Sequence, residues 1–191
     1  IRHNVNVKTS HVAVSGKISY VPEMPKDVSQ RGIESDEVAH LFYEADGNIL
    51  SDDMQVDISR PSTVPDLDEY SPATGGAGRR RNSYLLHFDP VGRPNYSKRK
   101  HVSGTVTVRN EIIGIIVMGE NLNVADRLVG NANTKYPDQR SRRVDKMDTD
   151  QDDLEAARQD SVTLSPDMRT VKFSITCSSS VDQCRIITVS K

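Results

Sequence analysis

The sequence predicts an all-β fold, an antiparallel, jelly-roll-like β-sandwich with long loops and one or two short helices. Three observations carry the prediction. The chain of 191 residues holds 21 Val and 12 Ile against 9 Leu and 9 Ala, with 20 Ser and 11 Thr, a composition suited to pleated surfaces. Several segments alternate apolar and polar residues with a period of two. Pro, Gly, Asn and Asp separate these segments at short intervals. Leu, Ile, Val and Phe together make 45 of the 191 residues, enough for a core in one domain spanning 1–191.

Val12, Val14, Ile18 and Tyr20 share one parity and give the first strand, ended by Pro22 and Pro25. Residues 1–10 precede it as an N-terminal arm or exchanged strand. Val38 to Glu44 forms the next strand, and Asp46-Gly47 signals a hairpin turn into a return run through Met54, Val56 and Ile58. From Ser59 to Asn82 three prolines, an acidic group and a glycine-rich stretch before Arg79-Arg80-Arg81 read as loop, the arginines as its solvated end. The glycines lack the spacing of a phosphate-binding loop.

Tyr84, Leu86 and Phe88 resume the strand pattern, and Val102, Gly104, Val106 and Val108 continue it. Ile112 to Met118 is apolar at both parities, as in a strand covered on both faces, and it anchors the core. Asn121 to Leu128 suits one or two helical turns, and Asp152 to Gln159 a short surface helix. Val162 and Leu164, then Val171, Phe173, Ile175 and Cys177, then Ile187 and Val189 complete the strands.

Charge and chemistry narrow the function. Twenty-five basic against 27 acidic residues leave −2, which argues against nucleic acid as a partner. No run approaches the roughly 18 apolar residues that would cross a bilayer as a helix, so membrane insertion is not expected. The chain opens at Ile1 without a basic or strongly apolar leader, as a processed product or a fragment would.

Cys177 and Cys184 flank Ser-Ser-Ser-Val-Asp-Gln between two β runs, a spacing that suits a disulfide clasping a hairpin, with two ordinary thiols as the alternative. Asn95-Tyr96-Ser97 is an acceptor sequon for glycosylation at Asn95. Asp148, Asp150 and Asp152 open like a calcium loop, but Asp153 stands where the EF-hand needs Gly and Gln159 where it needs Glu. Calcium held loosely there, or an unliganded acidic loop, are the two readings, and no cofactor is required. His87 and Asp89 share a strand face, which offers a hydrolase dyad or a structural pair. No nucleophile elbow occurs. With no Trp, the loop tyrosines Tyr70, Tyr96 and Tyr136 are the aromatic candidates for stacking on a glycan.

The string Arg81-Asn82-Ser83-Tyr84-Leu85-Leu86-His87-Phe88-Asp89-Pro90-Val91-Gly92 resembles a region of secreted bacterial surface proteins, the exosortase-sorted type with a Pro-Glu-Pro tail and the planctomycete type. Further matches run through Val102 to Val108, Ile112 to Val117, Leu122 to Gly130, Asp160 to Ser165 and Asp182 to Thr188. The resemblance covers roughly residues 38–189 and implies export and an extracellular β domain, without supplying an active site. This chain departs from it in the acidic stretch Asp145 to Asp153 and in the cysteine pair.

The resulting expectation is a non-enzymatic extracellular protein, secreted or at a cell surface. It would serve as a matrix, surface or filament subunit, associating through β edges with itself or with other extracellular proteins. A calcium-assisted glycan-binding or adhesion module is the alternative.

Overall fold

The computed structural model describes residues 12–49, 54–64, 73–75, 78–92, 94–137, 142, 144 and 160–190. Two five-stranded sheets pack face to face, so the predicted β-sandwich is the fold. Sheet one orders β1 (Val12–Gly16), β8 (Lys100–Val108), β11 (Thr170–Cys177), β10 (Ser161–Leu164) and β5 (Ser62–Val64). Sheet two orders β2 (Ile18–Val21), β3 (Ala39–Ile49), β7 (Arg80–Phe88), β12 (Asp182–Val189) and β9 (Ile112–Ile116). A small ladder pairs β4 (Met54–Val56) with β6 (Ala73–Gly75). The segment expected to be loop between Ser59 and Asn82 therefore contributes β5, β6 and the start of β7.

The two sheets read differently because their surroundings differ. Sheet one buries one face: β11 alternates, with Val171, Phe173, Ile175 and Cys177 buried and the residues between them outside. Its outward face carries Ser103, Thr105 and Thr107 of β8, Thr170, Ser174 and Thr176 of β11, and Ser161 and Thr163 of β10. Sheet two is covered on both faces, so β12 is buried from Asp182 through Thr188. Its inner side joins the main core through Leu41, Leu86, Phe88 and Ile186. Its outer side is covered by α1 (Gly119–Val129) with β4, through Leu122, Ala125 and Val129 against Met54, Val56, Ile116 and Ile187. The segment after β2 covers the rest, Val28 packing on Phe42 and Leu85. The expected one or two helical turns are an eleven-residue helix.

Three local expectations need correction. The first strand is two strands, because the chain turns at Gly16, φ +71°, and passes from sheet one into sheet two. A Cβ at Gly16 would lie 2.8 Å from Gly104 Cα, so the close approach of backbones requires glycine twice over. Asp46-Gly47 is not a hairpin turn. β3 runs straight through it against β7, and the register slips between Ala45 and Asn48, so the left-handed Gly47 serves a bulge. The meander expected after it is replaced by a β3 that lies between β2 and β7, parallel to the former and antiparallel to the latter.

Ile112 to Ile116 is the doubly covered strand the sequence predicts, and Gly114 is its tightest point. A Cβ there would fall 2.7 Å from Val56 Cβ. Gly114→Ala is expected to cost about 1–3 kcal/mol through overpacking, and Val56→Ala in the same chain to recover part of it, as measured by urea denaturation.

Candidate functional site

A group of buried charged side chains lies on the outer side of sheet two, beneath α1. At β3 the register against β7 passes from Tyr43 opposite Tyr84 to Ala45 opposite Ser83, which leaves Glu44 as the extra residue of a bulge. A bulge re-aims its side chain. The Glu44 carboxylate meets Arg185 of β12 in a two-pronged pair, Nε to Oε2 at 2.7 Å and Nη2 to Oε1 at 2.8 Å, with both side chains fully buried. Ser83 and Tyr136 hydroxyls also donate to Glu44.

Asp126 of α1 accepts from Arg185 Nη2 at 2.8 Å and pairs with the buried Arg142, which further donates to Asn123 Oδ1 and the Pro137 carbonyl. Both guanidinium groups lie over the Tyr136 ring, at 5.5 and 5.8 Å from its centre. Burial opposes the charge of Arg185, but Glu44 and Asp126 outweigh it and hold the pKa above the ordinary arginine value. Burial, then the neighbouring Glu44 carboxylate, pushes the Tyr136 phenol upward. Two carboxylates and two guanidinium groups balance, and the arrangement ties α1 and the residues after it to the sheet. The sequence holds one trace of it: an arginine inside the apolar run Cys184 to Ile187.

Asp57 supplies a second tie. Its Oδ2 accepts the backbone N–H groups of Val117 and Met118 at 2.7 and 2.8 Å, so a carboxylate from outside the helix caps the start of α1, where Met118 offers no side-chain cap.

His87 and Asp89 do not form a dyad. His87 is fully buried, with Nε2 3.0 Å from the Ile33 carbonyl and Nδ1 2.9 Å from Gln183 Nε2, which itself donates to the Val28 carbonyl. The pattern fits a neutral ring that donates from Nε2 and accepts at Nδ1. Burial lowers its pKa to about 4, against the upward pull of the Ile33 bond. Asp89 is buried too, and one of its oxygens accepts from the Arg31 N–H.

Cys177 and Cys184 are free thiols, a correction with a topological cause: β11 and β12 belong to different sheets, so the loop between them crosses the sandwich and does not close a hairpin. Cys177 donates to the Ser180 carbonyl at 2.9 Å, and burial raises the pKa of both thiols.

Tyr136 is committed to the buried charges, and its hydroxyl accepts from the Asn131 N–H at 2.7 Å, so it is no loop platform for a sugar. Asn95 is exposed and precedes a 3-10 turn, Tyr96–Lys98, with its Oδ1 accepting from Ser97. Arg79 and Arg80 are exposed as expected of a loop end, but Arg81 is buried within β7. Asp148, Asp150, Asp152, Tyr70 and residues 1–10 lie outside the described residues. Among the described residues no group of three His, Cys, Asp or Glu side chains is placed to share a metal ion, and no helix is long and apolar enough to cross a membrane.

What faces outward is sheet one. Its β1 edge, Val-Ala-Val-Ser-Gly, pairs with β8 on one side only among the described residues and carries neither charge nor proline. The other edges are guarded. β5 has three residues set between Pro61 and Pro65, β2 runs into Pro22, and β9 meets Asp57 and Ile58 through backbone bonds to Ile115. Compared with protein-family models, curated proteins and solved structures, the chain matches none.

Proposed function

We propose that this protein is a non-enzymatic structural or interaction subunit, of an extracellular matrix, surface layer or filament, that associates through the edge of β1. The observation that carries the reading is the contrast between β1 and the other sheet edges. Unpaired N–H and C=O groups along a strand without charge or proline form a template for another strand, and a second copy of β1 meets it in antiparallel pairing. Val12 and Val14 lean into the core and fix the strand, while Ala13 and Ser15 are exposed. The burial of His87, Arg185 and both thiols also supports a role that does not depend on reactive side chains. The extracellular part of the reading rests on the resemblance to exported surface proteins and on the exposed position of Asn95.

Sedimentation velocity over a concentration series tests this. The weight-average mass of the unmodified chain is expected to rise with concentration. Ala13→Lys with Ser15→Lys is expected to hold it at the monomer mass, because like charges oppose one another across the new pair. An unmodified chain that stays monomeric throughout would count against the proposal.

A further inference from the structure

We propose that the outward face of sheet one is a binding surface for a neutral, extended polysaccharide. The face is built from short hydroxyl side chains set in register. Thr105 stands opposite Lys172, which stands opposite Thr163, which stands opposite Thr63, so one row crosses four strands. Ser103, Ser174 and Ser161 form the next row. Adjacent strands lie about 4.8 Å apart, and same-face residues about 6.8 Å apart along a strand, so the hydroxyls form a regular lattice. Cross-strand contacts already orient some of them: Thr63 and Thr163 hydroxyls lie 2.9 Å apart and those of Thr107 and Thr170 3.3 Å.

The chemistry of this lattice selects its ligand. A hydroxyl both donates and accepts, and so does each hydroxyl of a sugar, so the match needs no fixed polarity. The strand positions of this face hold no carboxylate and one ammonium, Lys172, which is too little charge to select an anionic polymer. At the end beyond the strands the exposed Arg109 and Arg169 are offset by the exposed Glu111 and Asp167. The aromatic ring at the strand positions of the face is the His101 imidazole at the start of β8, 3.1 Å from the Thr176 hydroxyl, so flat apolar ligands find no extended platform. Replacing water by sugar hydroxyls changes little per bond, so useful affinity requires many simultaneous contacts, which a polymer supplies and a monosaccharide does not.

Ser15 of the β1 edge stands opposite Thr105 in the same row, so the face is tested apart from self-association with variants that leave β1 unchanged. Retention of the purified chain is measured on insoluble cellulose, on chitin and on cross-linked dextran, with alginate beads as the anionic arm. Binding to at least one neutral polymer is expected, unaffected by free glucose at about 10 mM. Thr105→Val, Thr163→Val and Ser174→Ala together are expected to weaken it by about tenfold or more. Thr105→Ser with Thr163→Ser, which keeps the hydroxyls, is expected to leave it unchanged. Circular dichroism and the thermal midpoint check that each variant is folded. Retention on none of the neutral polymers, retention on alginate alone, or equal binding by the folded hydroxyl-less variant would overturn the proposal and leave edge association untouched.

Discussion

Glu44→Gln is expected to destabilise the protein by about 3–5 kcal/mol, a fall in thermal midpoint on the order of 10 °C for a chain of this size. The cause is the guanidinium it leaves behind. Arg185 is fully buried, and in the native protein two of its nitrogens are held by Glu44 and one also by Asp126. Without the Glu44 charge, one carboxylate on α1 must serve both Arg185 and Arg142. Breaking such a pair costs more than the pair is worth, because an uncompensated buried charge remains. The double variant Glu44→Gln with Arg185→Met is therefore expected to recover a large part of the loss, since Asp126 and Arg142 still balance. Urea denaturation of the single and double variants measures the difference, and additive losses would show that the two residues do not act as a pair.

Stability is also expected to fall by about 3 kcal/mol between pH 6.5 and pH 4 through His87 alone. Burial holds this ring neutral in the folded protein, with a pKa of about 4 against the ordinary value near 6.5. Between those two values the unfolded chain takes up a proton that the folded chain refuses. Acid therefore favours unfolding across that window, with a slope of about 1.4 kcal/mol per pH unit, and the contribution is fully present above pH 6.5. His40, whose pKa burial also lowers, acts in the same direction. His87→Gln removes the proton site and is expected to flatten the dependence of unfolding free energy on pH in this window. An unchanged slope would mean that His87 is accessible to protons in the folded state.

Much of the sandwich is legible from alternation. Val171, Phe173, Ile175 and Cys177 announce β11 because sheet one has one wet face, and the apolar run at Ile112 announces a strand covered twice. Failures cluster where glycine and glutamate serve a bulge or a corner. Asp46-Gly47 supplies the positive φ that a hairpin turn needs, and a bulge in a continuous strand needs the same. Gly16 turns a strand between sheets without interrupting the apolar parity of Val12, Val14, Ile18 and Tyr20.

The buried charges were illegible for another reason. Glu44 and Arg185 are 141 positions apart, and only the sheet order, with β7 between β3 and β12, brings them together. The cysteines erred in the opposite way, being near in sequence but assigned to different sheets. The hydroxyls of sheet one were visible as composition, yet their alignment depends on register, which no single strand reveals.

The most direct test of association through β1 is amide hydrogen exchange followed over a range of protein concentrations. Exchange at Val12 and Val14, whose N–H groups point away from β8, is expected to slow as concentration rises while that of Ser62 and Thr63, on the opposite edge of the same sheet, stays constant. Rates at β1 that do not change with concentration would contradict that association.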